Sequence, residues 1–501
     1  MKSKRRIPLI ALTVACTFAL AAWLPTEINW LLCGAFLAPA LPMVLLRYTR
    51  ERAATVMLLS CAVAFAAFAA WTGIAWQPLQ RYDGQTVAVQ ATVHTAQRDE
   101  ALLCIEQGLP QGTLVAVSGL WAERDDAVSG TLVLSSVDAV GLDFHQSRAE
   151  GVYLSAQAVG EWTVSGKAAK PWHAVFTQFG DHLQQQLSRL LPHETGDLLG
   201  AVCLGHKENL SADTVRDFRA AGLSHMLALS GLHLSLLQSA IYLFLRRLRL
   251  SARVCAAVTI VLVWMFVLTV GASASLLRAA VMTSLALAAR LLFLRADALH
   301  SLSVALLLIL LFNPFAIYDA GLLLSFGATL GILLLYPRWH QGVDAALHGK
   351  GQRHFVTRRA VGVLRRLGNG VGLSLSAMAF TLPITLVFFG SVSWITPLSN
   401  LLAVPILSAA VSLGFAALPL LAMPLTQYVA PLLLLPAAGL AQAGMQIARL
   451  AASARWFSGL SALLFAGLLV GAMWRYWLKK DKKEAQYDTG TTEPTDQERT
   501  V

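Results

Sequence analysis

The chain is written as long apolar runs separated by short polar ones, and this pattern sets the first expectations. Three apolar runs open it: the segment after Arg6 to Trp23, Trp30 to Leu46, and Ala53 to Trp76. The first has a basic head and small residues near Ala19 and Ala21, as a signal peptide would. A second run follows after a very short loop, so the start reads as an uncleaved anchor. Further on, nine apolar stretches lie near 223–245, 254–270, 274–294, 299–312, 318–336, 370–389, 397–421, 427–448 and 457–478. The 299–312 stretch is short for a full crossing, which predicts half-helices or re-entrant segments among them. The fold class is a polytopic α-helical membrane protein of about 12 membrane segments.

Between the two groups the period changes from helical to two. Val87, Val89, Ala91 and Val93 point one way; Ala88, Gln90, Thr92 and His94 point the other. With ALLCIEQG, GTLVAVSGLW, GTLVLSSVDAV and VYLSAQAVGEWTV, this predicts five short strands in a small all-β barrel or sandwich over residues 77–165. Pro171 to Pro192 then reads as an amphipathic helix with Val175, Phe179, Leu183, Leu187 and Leu190 on one stripe. Placed between an outer domain and a span, it is expected to lie on the membrane lipid surface. The division is therefore 1–76 (three spans), 77–165 (β domain), 166–222 (interfacial helix and lead-in), 223–478 (membrane core) and 479–501 (a polar, disordered tail).

Composition agrees: of 501 residues 56% are hydrophobic and only 13% charged, far less charge than a soluble chain carries. The net charge of +11 invites a nucleic-acid reading, but 25 of the 39 Lys and Arg fall in six short clusters. Alternating the spans puts these clusters on one side, so most of the excess marks topology: both termini cytoplasmic, residues 77–165 periplasmic. The β domain holds four Arg and eleven acids, a net −7, which is a poor platform for a polyanion. Of six cysteines only Cys104 falls clearly in that domain, so it has no internal disulfide, and no close Cys pair has metal-ligand spacing.

Polar residues inside apolar segments are functional candidates, because an unsatisfied polar group in hydrocarbon is costly. Ser224, His225, Ser230 and His233 interrupt one such segment. Ser224, Ala228, Gly231, Ser235, Gln238 and Tyr242 follow 3–4 spacing and predict one small, polar helix face. Such a stripe serves helix packing as readily as it lines a path, as does Gly327-x-x-x-Gly331. His225 and His233 are too far apart around a helix to share a metal. Ser275, Arg278 and Ser325 are further candidates; Arg278 lies in an apolar stretch about two to three turns from the nearest basic cluster, an unusual place for a charge. Asn400 stands between Pro397 and Pro405, which predicts an interrupted helix with free backbone groups. No cofactor or nucleotide motif occurs in the chain.

The segment GAVCLGHKENLSADTVRDFRAAGLSHMLALSGLHLSLL closely resembles the signature of the ComEC competence family, inner-membrane proteins of bacterial DNA uptake. LTVGASASLLRAAVMTSLALAARLLF, LFNPFAIYDAGLLLSFGATLGILL and FTLPITLVFFGSVSWITPLSNLLAVPIL are similar to later blocks of the same family, in the same order, with Pro383, Phe389, Gly390, Asn400 and Pro405 in place. The resemblance implies an OB-like fold for the β domain and a channel for single-stranded DNA during natural transformation. It departs in two places: His206 and Lys207 follow Leu-Gly where an acid is usual, and the His-x-His-x-Asp-His motif of a metallo-β-lactamase-like domain does not occur.

The implied partners are single-stranded DNA, a periplasmic DNA receptor, a separate nuclease, and a cytoplasmic translocase or DNA-binding proteins that supply energy. Two other classes stay open. One is a transporter of another polar or anionic substrate on the same scaffold. The other is an intramembrane hydrolase using Ser230 and His233 at i, i+3, although no acid stands nearby in that segment to orient the histidine and no Gly-x-Ser-x-Gly elbow precedes it.

Overall fold

The computed structural model describes residues 6–45, 52–96, 100–122, 126–136, 147–149, 151–167, 174–271, 273–292, 297–347, 355–390, 392–393, 395–423 and 425–453. The apolar stretch at 457–478 and the polar tail lie outside the described residues. Three helices open the chain: α1 (Arg6–Ala21), α2 (Thr26–Leu45) and α3 (Arg52–Trp71). α3 does not stop at its last α-helical residue. It runs through a π-helical turn (Thr72–Trp76) into the short α4 (Gln77–Gln80) and delivers the chain directly to the β domain.

There β1 (Thr86–Ala96), β2 (Glu100–Gln107), β3 (Leu114–Ser118), β4 (Asp126–Ser136) and β5 (Val152–Lys167) close into a barrel in the order β1-β2-β3-β5-β4. β3 and β5 run parallel, and the other pairs are antiparallel. A five-stranded closed barrel of this kind is compatible with an OB-like fold. Period-two alternation fills its interior: Val89, Ala91, Val93, Leu103, Val115, Leu132 and Leu154 are all buried. Each fully buried Val or Leu stabilises the barrel by about 1.5–3 kcal/mol.

The barrel is tied to the membrane part through residues near its last strand. The Arg148 guanidinium lies 3.8 Å over the Trp76 ring and 5.2 Å from Phe315. Asn313 Nδ2 donates to the Ala149 carbonyl at 2.7 Å, and the Asn313 Oδ1 accepts from Phe315 N at 3.1 Å, capping a 3₁₀ turn (Pro314–Tyr318). Trp71 packs edge-on against Phe315 and beside Tyr153. Burial pulls Arg148 down to about 10 and pushes the Tyr153 hydroxyl up to about 12, the latter opposed by the nearby Arg148 charge. Near neutral pH the one stays charged and the other neutral.

The remaining helices are α5 (Ala174–Leu190), α6 (His193–Leu204), α7 (Ala212–Ala220), α8 (Ser224–Leu227), α9 (Gly231–Arg247), α10 (Ala252–Val270), α11 (Ala274–Leu291), α12 (Ala298–Phe312), α13 (Ala320–Leu347), α14 (Phe355–Phe389), α15 (Thr396–Ala422) and α16 (Pro431–Ser453). Among the described residues six helical segments are long and apolar enough to cross a membrane: Ala54–Gln80, Ala252–Val270, Ala320–Ala345, Arg359–Phe389, Thr396–Ala422 and Pro431–Ser453. The chain is thus a polytopic helical protein with a small β domain. α12, with 15 residues, covers about 22 Å, short of the roughly 30 Å of hydrocarbon.

Three clusters hold the helices. α1 and α3 pack on α12 and the 3₁₀ turn through Phe18, Phe65, Phe68, Leu310 and Phe315. α9, α10 and α11 meet through Leu234, Val263, Val267, Leu276 and Ala280. α5 and α6 pack with α15 and α16 through Leu183, Leu187, Leu199, Leu407, Phe415 and Met445.

Three elements differ from the sequence reading. The stripe of α5 divides: Leu183 and Leu187 are buried among helices, whereas Val175, Phe179 and Leu190 are exposed. The stripe was therefore long enough to serve two surfaces. α15 is not interrupted at Asn400. Pro397 occupies the first turn, where no N–H is needed, and Pro405 sits inside a helix that continues to Ala422. Finally, the apolar stretch at 223–245 is not one helix, and that break builds the candidate site.

Candidate polar site at the start of the ninth helix

Between α8 and α9 the backbone is extended, with ψ 142° at Ala228 and φ −118°, ψ 169° at Ser230. Ser224 and Ala228 therefore do not share the face of α9, which begins only at Gly231. Ser224 and His225 lie on α8 and are exposed. Ser230 occupies the cap position of α9, but its side chain accepts no hydrogen bond from the first turn. His233 is fully buried, and neither ring nitrogen has a hydrogen-bond partner. Ser235 is exposed and donates to its own helix at Leu232 O, 2.7 Å. Gln238 lies two turns on and accepts from Thr283 Oγ1 of α11 at 3.5 Å.

α11 faces α9 on one side and α13 on the other. Its Ser275 hydroxyl meets that of Ser325 at 2.9 Å. One turn on, Arg278 Nη1 donates to Thr329 Oγ1 at 3.0 Å, and Met282 Sδ lies 3.5 Å from the same nitrogen. The guanidinium also sits 5.7 Å from the Phe326 ring. Spacing explains the ladder: 275 and 278 share a face of α11, and 325 and 329 share a face of α13. Arg278 is 7% exposed. Its Nε has no partner, and among the described residues no carboxylate pairs with it. A Cβ placed on Gly231 would stand 2.7 Å from Arg278 Nη2, so the glycine is what admits the guanidinium against the first turn of α9.

Asn400 stands in a separate contact, donating from Nδ2 to Ser374 Oγ of α14 at 3.4 Å while its Oδ1 is unpaired. Near the start of α15, Ser393 Oγ donates to the Ala220 carbonyl at 2.7 Å and Thr396 Oγ1 donates to Ser393 O. The three separated sequence blocks therefore meet: the segment around 220–233 touches 275–278 on one side and 393–396 on the other. Thr329, Phe326 and Ser374 escaped the sequence reading. Thr329 had a legible signal, standing four residues after Ser325 as Arg278 stands three after Ser275. Ser374 carried the general signal of a hydroxyl inside an apolar stretch, whereas Phe326 had none, since its role depends on which helices become neighbours.

A family model described as "Competence protein" matches residues 202–482, more than half of the 501 residues. The chain belongs to the competence protein family. Within that region lie all of the polar contacts from His225 to Asn400. ComE operon protein 3 of Bacillus subtilis (strain 168) is 26% identical over 224 residues, which cover 45% of this chain and 26% of that relative. The chain thus matches about a quarter of the relative's length. Among solved structures none matches the chain.

Proposed function

We propose that this competence-family chain forms the path by which single-stranded DNA crosses a bacterial inner membrane during natural transformation. A polyanion needs a wet, polar route, because phosphate in hydrocarbon is prohibitively costly. It also needs few cations, since a dense basic wall would hold the strand. The observation that carries the reading is Arg278: a buried guanidinium within an apolar bundle, held by the Thr329 hydroxyl and beside the Met282 thioether, with no described carboxylate to neutralise it. A passing phosphate is its natural transient partner.

In this reading about 12 segments lie in the membrane, the termini are cytoplasmic and the barrel is periplasmic, an arrangement that the basic clusters support. The exposed Val175 and Phe179 of α5 continue its apolar stripe toward lipid. A periplasmic receptor presents the DNA, a separate nuclease degrades the other strand, and a cytoplasmic translocase or DNA-binding proteins pull the transported one. The acidic barrel guides rather than grips. A hydrolase centred on Ser230 finds no support, because the buried His233 ring makes no hydrogen bond to that hydroxyl.

The test is transformation of a clean deletion strain carrying the wild-type, Arg278→Lys or Arg278→Ala chain. Wild type should restore uptake, Arg278→Lys should restore part of it, and Arg278→Ala none, with membrane levels equal by immunoblot. A deletion strain that transforms normally overturns the proposal.

A further inference from the structure

We infer that the first turn of α9 and the Arg278 guanidinium together form a binding site for a single phosphodiester monoanion. The inference deepens the strand-path reading by naming what its narrowest polar point holds.

Two positive features lie side by side, since Arg278 Nη2 packs against Gly231 at the start of α9. α9 has 17 residues and presents its first N–H groups, from Gly231 to His233, at the end where the helix dipole is positive. Ser230 is the residue type that would normally cap them, yet its side chain accepts nothing from that turn. Ser251, Ser273 and Asp297 do cap the three helices that follow. Against this end lies Arg278, more than nine-tenths buried, with Nη1 committed to Thr329, Nη2 turned toward Gly231 and Nε unpartnered. A cation beside a helix N-terminus is unfavourable, and an anion between them makes both interactions favourable.

The ligand chemistry follows from the donors. A guanidinium fork takes two oxygens of a tetrahedral or planar oxyanion, and backbone N–H groups take another. One buried cation offsets one negative charge, which matches a phosphodiester at any pH where proteins fold. Such a group comes either from a DNA strand or from a phospholipid headgroup.

The purified full chain in phosphate-free maltoside micelles, mixed with a fluorescent single-stranded thymidine oligonucleotide, separates these cases by anisotropy. An uncharged methylphosphonate oligonucleotide of equal length should bind wild type at least about 10-fold more weakly. Arg278→Gln and Gly231→Val should weaken binding of the charged strand about as much, and Arg278→Lys less. If phosphatidylglycerol displaces the strand from wild type, the resident anion is the lipid headgroup, and the site stands. Equal binding of charged and methylphosphonate strands by wild type overturns the site without recourse to any variant. So does undiminished binding in a folded Arg278→Gln chain. Binding lost in Arg278→Gln while transformation persists supports the site and removes the strand-path reading. Transformation lost while binding is undiminished does the reverse.

Discussion

Arg278 shows how one side chain can be held firmly and still be available. Its Nη1 is anchored on Thr329, which fixes the plane of the guanidinium and leaves Nε and the far edge uncommitted. Thr329→Val keeps the shape and removes the acceptor, a loss of about 1 kcal/mol. Uptake in a transformation assay should therefore fall about 5-fold, well short of the loss expected for Arg278→Ala. Glycine acts differently at Gly331, where a Cβ would run into the Ser376 carbonyl of α14. Backbone cannot give way as a side chain can, so Gly331→Leu should cost at least about 1–3 kcal/mol and lower the melting temperature in detergent. Gly362→Leu, with open space around its Cβ, should leave stability unchanged or raise it by up to about 1 kcal/mol. Arg278 and Ser275 were legible in the sequence because a polar group in an apolar run is improbable without a task. Which hydroxyl would receive Arg278 depended on the pairing of α11 with α13, and no local pattern encodes that.

Elements whose period is strong were legible as wholes. All five strands were expected, because alternation of Val, Leu and Ala against polar residues fits only a pleated ribbon with one wet face. The break before α9 was not, since SHMLALSGLHL contains no proline and its apolar spacing continues through the gap. Tertiary contacts decide it: Met226 and Leu227 just before the extended link and Leu229 within it are all buried. The proline at 405 misled in the opposite direction, because a long apolar helix tolerates one missing hydrogen bond. Caps are the more reliable signal. Asp297 opens α12 by accepting from Leu299 N and His300 N, at 2.9 and 3.2 Å. The His300 N–H above all holds its carboxyl below the ordinary carboxylate range. A lowered carboxyl stabilises the fold fully above its unfolded value and loses that effect as pH falls through the folded one. Asp297→Ala should cost about 1 kcal/mol at neutral pH. The gap in melting temperature between it and wild type should shrink once the pH drops below roughly 4.

At the scale of the whole molecule, the longest helices exceed what a bilayer requires. α14, with 35 residues, spans about 52 Å against roughly 30 Å of hydrocarbon. Its first turns, with the end of α13, therefore stand clear of the apolar core. Arg338, Arg359, Arg365 and Arg366 are exposed there, and Asp344 pairs with both Arg365 and His340 at 3.2 Å. In a chain with Cys104 replaced by Ser, Glu161→Cys on the barrel should react with an impermeant maleimide added to intact spheroplasts. Arg366→Cys should react only after lysis, and the opposite pattern would invert the topology. Asn313→Ala removes the hydrogen bond to Ala149 O and loosens the barrel's seat. Limited proteolysis should then release the barrel faster, while the buried barrel interior keeps its own melting transition.

The barrel's other attachment has a mechanical consequence. Because α3, the π turn and α4 follow one another without an intervening loop, the β domain rides on a stiff stalk instead of a tether. A strand drawn across the barrel would push sideways on that stalk, and the load would arrive inside the bilayer at Phe65 and Phe68, where α3 is wedged against α1 and the 3₁₀ turn. A load on the barrel would thus be passed to the packed helices, as a lever transmits force to its fulcrum.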